Sequence, residues 1–262
     1  MKIARFEYEG EIYGGIVEDG KVFFMEVASE EEVEQGSSLG GLKKSANSVD
    51  LNEVKILSPV MPSKIVAIGL NYKAHAAEFN KELPESPMLI LKPNTAVIAH
   101  GEYIELPPEE VTHRVDYEGE LGVVIARKCR NISKDEAKDY ILGYTCFNDV
   151  TARDLQKKDV QYTRAKGFDT FAPIGPFIET DLANPNDVMI ETYHNGEKKQ
   201  STSTNDMVFD VFELVSFVSS VMTLNAGDVI ATGTPSGVGK IRKGDEVEVR
   251  IEGVGSLVNT VR

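Results

Sequence analysis

The chain has 262 residues and a formal net charge of -14, and 41% of its residues are hydrophobic. These values are typical of a globular protein with one substantial core and room for a small second domain. The negative charge repels polyanions, which argues against nucleic acid and anionic membranes as partners. Because the opening residues lack an apolar leader and no run approaches about eighteen apolar residues, we expect a cytoplasmic protein that does not enter a membrane.

Residues 1–57 predict a small β-rich N-terminal domain. Short runs of β-forming residues alternate there with the turn dipeptides Glu9-Gly10 and Asp19-Gly20. Further along, apolar runs are separated by loops that contain proline. This change predicts a second domain over residues 58–262.

Strands outnumber helices in the second domain. Apolar or strand-like runs lie at residues 65–70, 88–91, 120–126, 228–232 and 245–261. One predicted helix begins at a capping box of Ser133 and Glu136 and stops near Gly143, and another covers residues 208–222. Since regular βαβ alternation is missing, the pattern favours an α+β, mainly β fold over a Rossmann or TIM-barrel plan.

Three carboxylates form the first candidate site. Side chains alternate along a strand, so Glu118 and Glu120 share one face, and the apolar run after them predicts a buried strand. A second apolar run ends at Asp149, which adds a third carboxylate if the two strands are neighbours. Such oxygen ligands suit Mg²⁺, Mn²⁺ or Ca²⁺. The spacing alone is explained more simply by a solvated acidic edge.

His75 and Glu78 form the second candidate site. They lie three residues apart in a predicted short helix and share one of its faces. A carboxylate so placed fixes the tautomer of the imidazole and raises its basicity, as a general base requires. A chance pair on a surface helix explains the same spacing, and without further context it is the simpler interpretation.

Two further features suggest contacts to an anion. Lys166 lies between polar and aromatic neighbours, where it can pair with a carboxylate or enolate, although most lysines are solvated and Arg153 and Arg164 are comparable candidates. The glycine-rich run 231–240 is not a phosphate loop, because Thr234 stands where its first glycine is required. A tight turn that binds a carboxylate through Thr234 and backbone N–H groups fits better, and a purely structural turn fits equally well.

Several segments, in order across roughly residues 58–262, resemble the fumarylacetoacetate hydrolase family, in particular its short acylpyruvase and oxaloacetate decarboxylase members. The matching segments are Ile68-Gly69-Leu70-Asn71-Tyr72 with His75 and Glu78, Leu91-Lys92-Pro93, Asp116-Tyr117-Glu118-Gly119-Glu120-Leu121, Asn148-Asp149-Val150-Thr151-Ala152-Arg153-Asp154, Lys166, and Thr232-Gly233-Thr234-Pro235-Ser236-Gly237-Val238-Gly239.

The resemblance implies a catalytic domain of mixed, mainly antiparallel strands rolled around a central layer, in a homodimer. It implies Mg²⁺ or Mn²⁺ at Glu118, Glu120 and Asp149, chelated by a small anionic 2-oxo acid. On a lid, His75 and Glu78 would activate water to cleave a C–C bond, and the ion and Lys166 would stabilise the enolate that remains. The implied substrate-binding residues are Asn71, Tyr72, Arg153 and Thr234.

The larger family members carry a further upstream Asp ligand and a longer N-terminal domain, for which this sequence shows no counterpart. The resemblance is therefore to the short branch, which also contains isomerases of hydroxymuconate-type diacids and oxaloacetate tautomerases. We expect an acylpyruvate or fumarylpyruvate hydrolase or an oxaloacetate decarboxylase. The alternatives are an isomerase or tautomerase, and a catalytically silent protein that binds metal.

Overall fold

A computed structural model describes residues 1–27, 42–78 and 80–262. Residues 28–41 of the predicted N-terminal domain, and Phe79, lie outside the described residues. Strands predominate and helices are few, which confirms the predicted mainly β fold. The strands are β1 (Lys2–Tyr8), β2 (Glu11–Glu18), β3 (Lys21–Val27), β4 (Leu42–Asp50), β5 (Lys55–Leu57), β6 (Ile65–Gly69), β7 (Met88–Lys92), β8 (Val97–Ile98), β9 (Tyr103–Ile104), β10 (Val115–Tyr117), β11 (Gly119–Ile125), β12 (Ile141–Asn148), β13 (Thr151–Ala152), β14 (Ala172–Glu179), β15 (Met189–His194), β16 (Glu197–Ser203), β17 (Val229–Ala231), β18 (Gly239–Lys240), β19 (Glu246–Ile251) and β20 (Gly255–Val261).

The described strands form three sheets. The largest has the order β4-β3-β2-β1-β14-β12-β11-β17-β6-β7, with β5 paired to β1 and β8 paired to β14. The others have the orders β13-β10-β18 and β16-β15-β19-β20-β9. Because β1 pairs with β14 through Lys2↔Glu179 and Ile3↔Ile178, the N-terminal strands extend a sheet of the second domain. The division after residue 57 stays a prediction.

The two turn dipeptides of the N-terminal part connect β1 to β2 and β2 to β3. Both residues of each turn have positive φ, 50° and 83° at Glu9-Gly10 and 49° and 75° at Asp19-Gly20. Two-residue hairpin loops favour this geometry because it matches the twist of the flanking strands. The predicted turns are therefore confirmed.

The strand β11 lies in the interior of the large sheet. All seven of its residues are buried, and it pairs with β12 on one side and β17 on the other. A strand covered on both faces reads as a continuous apolar run, which explains the sequence pattern here. The strands β6, β7, β17, β19 and β20 occupy the other predicted runs.

The helices are short, apart from the last. They are α1 (Lys73–Glu78), α2 (Arg153–Lys158), α3 (Thr163–Lys166) and α4 (Val211–Val221). The helix α4 confirms the prediction over residues 208–222, and Asp210 caps it by accepting a hydrogen bond from the Glu213 N–H. Within the described ranges, no helix has the length and apolar character needed to cross a membrane.

The prediction of a helix after Ser133 is wrong. The capping-box hydrogen bonds between Ser133 and Glu136 form, but only one 3₁₀ turn follows, Ala137–Tyr140, before β12 begins. A capping box marks a start and does not set a length, and pairing with β11 and β14 prevails. Gly143 lies inside β12, where a Cβ would come within 2.4 Å of the Glu179 carbonyl oxygen, so it permits close strand packing instead of ending a helix.

Candidate metal centre and active site

The three predicted metal ligands lie together at the start of β11 and the end of β12. Glu118 directly precedes β11, Glu120 is its second residue, and Asp149 directly follows β12. Their carboxylate oxygens lie within 4.8 Å of one another, and the residues are 4%, 1% and 2% exposed. The pairing of Gly119 with Asn148 produces this arrangement, so the condition that the two strands be neighbours is met.

Backbone hydrogen bonds fix the relative positions of these carboxylates. The Glu118 N–H donates to the Asn148 side-chain oxygen at 3.0 Å, and the Asp149 N–H donates to the Glu118 carbonyl at 2.8 Å. The loop after β17 adds a bond from the Gly233 N–H to the Glu120 carboxylate at 2.9 Å. These hydrogen bonds hold the carboxylates of the cluster in fixed relative positions.

Buried cationic side chains neutralise two of the carboxylates. The Lys166 ammonium lies 3.0 Å from Glu118 and also contacts Asp149, while Arg153 contacts Glu118 and Lys92 lies 2.6 Å from Asp149. Among the described residues, no lysine or arginine forms an ion pair with Glu120. The positive charge is thus distributed unevenly over the cluster.

The pKa values of the two glutamates move in opposite directions. Burial opposes ionisation of Glu118, but Lys166 and Arg153 outweigh it and hold its pKa below the ordinary value. Burial, reinforced by the charge of Asp149, raises the pKa of Glu120 well above the ordinary value. Glu120 is therefore the group that most needs another cation nearby.

These properties fit a hard divalent cation. All three donors are carboxylate oxygens, which suit Mg²⁺, Mn²⁺ and Ca²⁺, and such an ion would supply the charge that Glu120 lacks. Three protein ligands also leave coordination positions for a substrate and water. The donor set does not distinguish between these ions.

Lys166 can act as a permanent charge beside the cluster. Burial opposes its charge, but Asp149 and Glu118 outweigh burial and raise its pKa. Its position is further fixed by a hydrogen bond to the Thr151 hydroxyl at 2.9 Å. A lysine held in this way is suited to stabilise negative charge on a ligand.

A cavity of about 650 Å³ opens beside the carboxylates. Glu118, Glu120 and Lys166 line it, and so do His75 and Glu78 of α1. The His75 Nδ1 lies 3.2 Å from the Glu78 carboxylate, and the His75 side chain is buried. A carboxylate at Nδ1 favours a proton there and leaves Nε2 as the basic nitrogen. The cavity therefore brings the predicted base and the predicted metal ligands together.

The four predicted substrate contacts are placed differently. Arg153 and Thr234 line the cavity, whereas Asn71 and Tyr72 do not. The Asn71 amide donates to the Phe209 and Thr232 carbonyls, and its oxygen accepts from the Phe209 N–H. The hydrogen bonds of this side chain therefore connect it to neighbouring loops. The buried Tyr72 hydroxyl has no hydrogen-bond partner among the described residues. Their contact with substrate stays a prediction.

Sequence reasoning assigned no role to Lys92 or Gln156. Lys92 is 1% exposed and shares the inward face of β7 with Ile90, a signal that period-2 alternation offered. Burial lowers its pKa, against the opposing effect of Asp149. Gln156 lines the cavity and accepts a hydrogen bond from Arg153 at 2.7 Å, and its i,i+3 spacing from Arg153 was the available signal.

Comparison with known proteins identifies the family. The sequence profile described as fumarylacetoacetate (FAA) hydrolase C-terminal matches residues 64–262, well over half of the chain. The chain belongs to the fumarylacetoacetate hydrolase family. A second profile, described as Rv2993c-like, N-terminal, matches residues 1–59 of this family member.

Relatives within the family carry several reaction names. The chain is 45% identical over 224 residues to oxaloacetate tautomerase YisK of Bacillus subtilis, covering 80% of this chain and 74% of that one. The structure of 5-carboxymethyl-2-hydroxymuconate delta-isomerase from Mycobacterium smegmatis superposes with a TM-score of 0.87 at 41% identity, covering 100% of this chain and 98% of that chain. Maleylpyruvate hydrolase from Sphingobium sp. SYK-6, in complex with manganese(II) ion and pyruvate, gives 0.80 at 28% identity, with the same coverage.

Proposed function

We propose that this protein is a divalent-metal-dependent enzyme that interconverts the keto and enol forms of a small 2-oxo diacid such as oxaloacetate. The observation that carries the proposal is the buried set of Glu118, Glu120 and Asp149, whose two glutamates line one cavity with Lys166 and His75. Stabilising an enolate requires concentrated positive charge at one end of the substrate and a proton-transfer group at the other. The named tautomerase and isomerase relatives support this reaction class.

Mg²⁺ or Mn²⁺ would be held by Glu118, Glu120 and Asp149, and Ca²⁺ suits the same oxygens. When bound, such an ion would polarise the 2-oxo group and stabilise negative charge there. The manganese in the maleylpyruvate hydrolase structure supports this assignment.

The chain's own residues perform the proton transfer. His75 Nε2 removes a proton from the carbon next to the 2-oxo group, and the electron pair of that C–H bond moves onto the oxygen as the enolate forms. His75 then returns the proton to the oxygen, which gives the enol, and the reverse sequence restores the keto form. Glu78 stabilises the protonated imidazole, and Lys166 stabilises the enolate.

Cleavage of a C–C bond is the second candidate function, and the His75 and Glu78 pair favours it. In hydrolysis of an acylpyruvate or fumarylpyruvate, His75 would take a proton from water, whose oxygen bonds to the distal carbonyl carbon. The C–C bond then breaks, giving a carboxylic acid and a pyruvate enolate that takes up the proton. Decarboxylation of oxaloacetate would reach the same enolate with loss of CO₂. The maleylpyruvate hydrolase neighbour supports this candidate.

One assay separates the two candidates. Protein stripped of metal and then supplied with Mg²⁺ or Mn²⁺ is mixed with enol oxaloacetate, while loss of enol absorbance and release of pyruvate are followed in the same sample. Acylpyruvates and fumarylpyruvate are tested in parallel. Glu118→Gln and metal alone control for uncatalysed exchange, and Glu213→Gln, an exposed carboxylate on α4, is the matched control.

The proposal predicts rapid, metal-dependent loss of enol without pyruvate, by wild type and Glu213→Gln but not by Glu118→Gln. Pyruvate release from any of these substrates at a comparable rate would favour the cleavage candidate. If neither signal exceeds the metal-only rate, both candidates fail.

A further inference from the structure

Tyr117 lies next to the carboxylate Glu118, but successive side chains of an extended segment point to opposite sides. Its ring is 2% exposed, and its hydroxyl donates a 3.0 Å hydrogen bond to the Gly237 carbonyl. Gly237 belongs to the loop between β17 and β18, and β18 pairs with β10 at Tyr117↔Gly239. Tyr117 therefore joins the segment that bears the carboxylates to this loop.

The Gly237 residue is held tightly in its loop. It has a φ of 99°, and a Cβ there would lie 2.2 Å from the Lys199 carbonyl oxygen, so only glycine fits. Its carbonyl accepts from Tyr117, while its N–H faces the Glu78 carboxylate at 3.2 Å and 3.4 Å. One residue thus connects Tyr117 with the acid that accompanies His75.

The helix α1 needs such an external contact. It has six residues, fewer than an isolated helix requires for stability in water. The Glu78 side chain is 31% exposed, and its polar contacts in the described part of the chain are the His75 ring and the Gly237 N–H. The Gly237 N–H is therefore the contact that ties Glu78, the partner of His75, to the loop before β18.

We infer that Tyr117 is a positioning residue, which fixes the Gly237 backbone so that its N–H holds Glu78, and through it His75, at the cavity. The inference rests on the proposed function for the task of His75. The position of α1 can nevertheless be measured without turnover.

Hydrogen exchange at α1 tests the inference. The Ala76 N–H, bonded to the Tyr72 carbonyl at 3.0 Å, reports whether the helix is held. Exchange is measured with Mg²⁺ and oxalate, a chelating stand-in for a 2-oxo acid, in wild type and Tyr117→Phe. Tyr193→Phe is the matched control, because it also loses one hydroxyl hydrogen bond, to Glu191, outside the cavity lining.

We expect exchange at Ala76 about fivefold faster in Tyr117→Phe, the effect of losing one hydrogen bond, and unchanged exchange in Tyr193→Phe. In a Glu78→Ala background the effect of Tyr117→Phe should disappear, because the connection is already broken. An equal effect of Tyr117→Phe with and without Glu78 would overturn the inference, as would wild-type exchange in Tyr117→Phe.

Turnover distinguishes failure of this inference from failure of the proposed function. Tyr117→Phe should lower kcat severalfold with little change in KM or in Mg²⁺ affinity, since the charged groups that bind substrate are untouched. An unchanged kcat in an active enzyme would overturn the role of Tyr117. If wild type converts no 2-oxo acid while the exchange pattern holds, the proposed function fails and the positioning role stands.

Discussion

The two sides of the cavity are built in opposite ways. The carboxylate side consists of Glu118, Glu120 and Asp149 on paired central strands, at most 4% exposed and cross-linked through the backbone. The α1 side consists of a six-residue helix whose Glu78 contacts the neighbouring loop through one backbone N–H. In the proposed reaction, the charge that would stabilise the enolate is therefore held by buried strands, whereas the proposed base lies on a short helix.

This difference suggests how one scaffold supports several reactions. Tautomerisation, isomerisation and C–C cleavage all need a stabilised enolate, which the rigid side is built to provide. They differ in what the base does with a proton or with water, which is decided on the side that is held more loosely.

Glu120→Gln should impair metal binding by the carboxylate cluster. The substitution keeps the shape but removes one of three oxygen charges, so turnover should fall by about a thousandfold, the loss typical of removing a preorganised electrostatic group. Divalent-metal affinity should fall with it, as calorimetric titration would show. Normal metal-dependent turnover in this variant would mean that the ion binds elsewhere.

His75→Gln should affect only the α1 side. Loss of a general base costs about a hundredfold in turnover or more, while Mn²⁺ affinity should stay at the wild-type value because no metal ligand changes. Steady-state rates measure the loss of turnover, and Mn²⁺ titration of the same preparation measures the metal affinity. A parallel loss of metal affinity would show that the two sides are not independent.

Asp228→Asn should destabilise the segment before β17, the strand that pairs with β11. Asp228 is fully buried directly before β17, accepts hydrogen bonds from the Ser63 and Asn225 N–H groups, and pairs with Lys64. We expect a loss of about 3 kcal/mol in the free energy of unfolding at neutral pH, since Lys64 loses its charged partner. Denaturant unfolding measures it.

The same measurement at lower pH tests the cause. Burial opposes the charge of Asp228, but the Asn225 N–H and Lys64 outweigh it and lower its pKa. Its stabilisation is therefore present above the ordinary aspartate pKa and is lost as pH falls through the lowered value. The difference between wild type and Asp228→Asn should shrink in acid, and a difference independent of pH would contradict this explanation.

The smallest effect concerns the protein without metal. Because burial and Asp149 raise the pKa of Glu120, the folded state retains a proton that the unfolded state has already released. The free energy of unfolding in a chelator should therefore decrease as pH rises from the ordinary glutamate pKa of about 4.3 through the raised value. Glu120→Gln should lack this decrease, and added Mg²⁺ should reverse it in wild type.

Local patterns predicted much of the fold. Short β-forming runs with turn dipeptides located the hairpins around Gly10 and Gly20, and a continuous apolar run located the strand β11, because these features depend on neighbouring residues. The helix after Ser133 failed because pairing of β12 with distant strands overrode a local capping signal. Non-local pairing of this kind leaves no mark within a short window.

The candidate site likewise has features that local spacing predicted and features that depend on distant segments. The spacing of Glu118 and Glu120 revealed a shared face, but only the pairing of β11 with β12 shows that Asp149 joins them. The burial of Lys92 followed from its register with Ile90, whereas its contact with Asp149 comes from a distant segment. The assignment of Asn71 to substrate relied on family resemblance, and its hydrogen bonds to Phe209 and Thr232 became visible only in the structure.

The most direct test is a Mn²⁺ titration of metal-stripped protein, with the bound ion and the loss of enol oxaloacetate measured in the same samples. Wild type should bind one Mn²⁺ per chain at this site, activity should rise in proportion to occupancy, and Glu118→Gln should lose both. Full activity in the stripped protein, or tight binding of Mn²⁺ that Glu118→Gln leaves unchanged, would contradict the assignment of the three carboxylates as the centre of the chemistry.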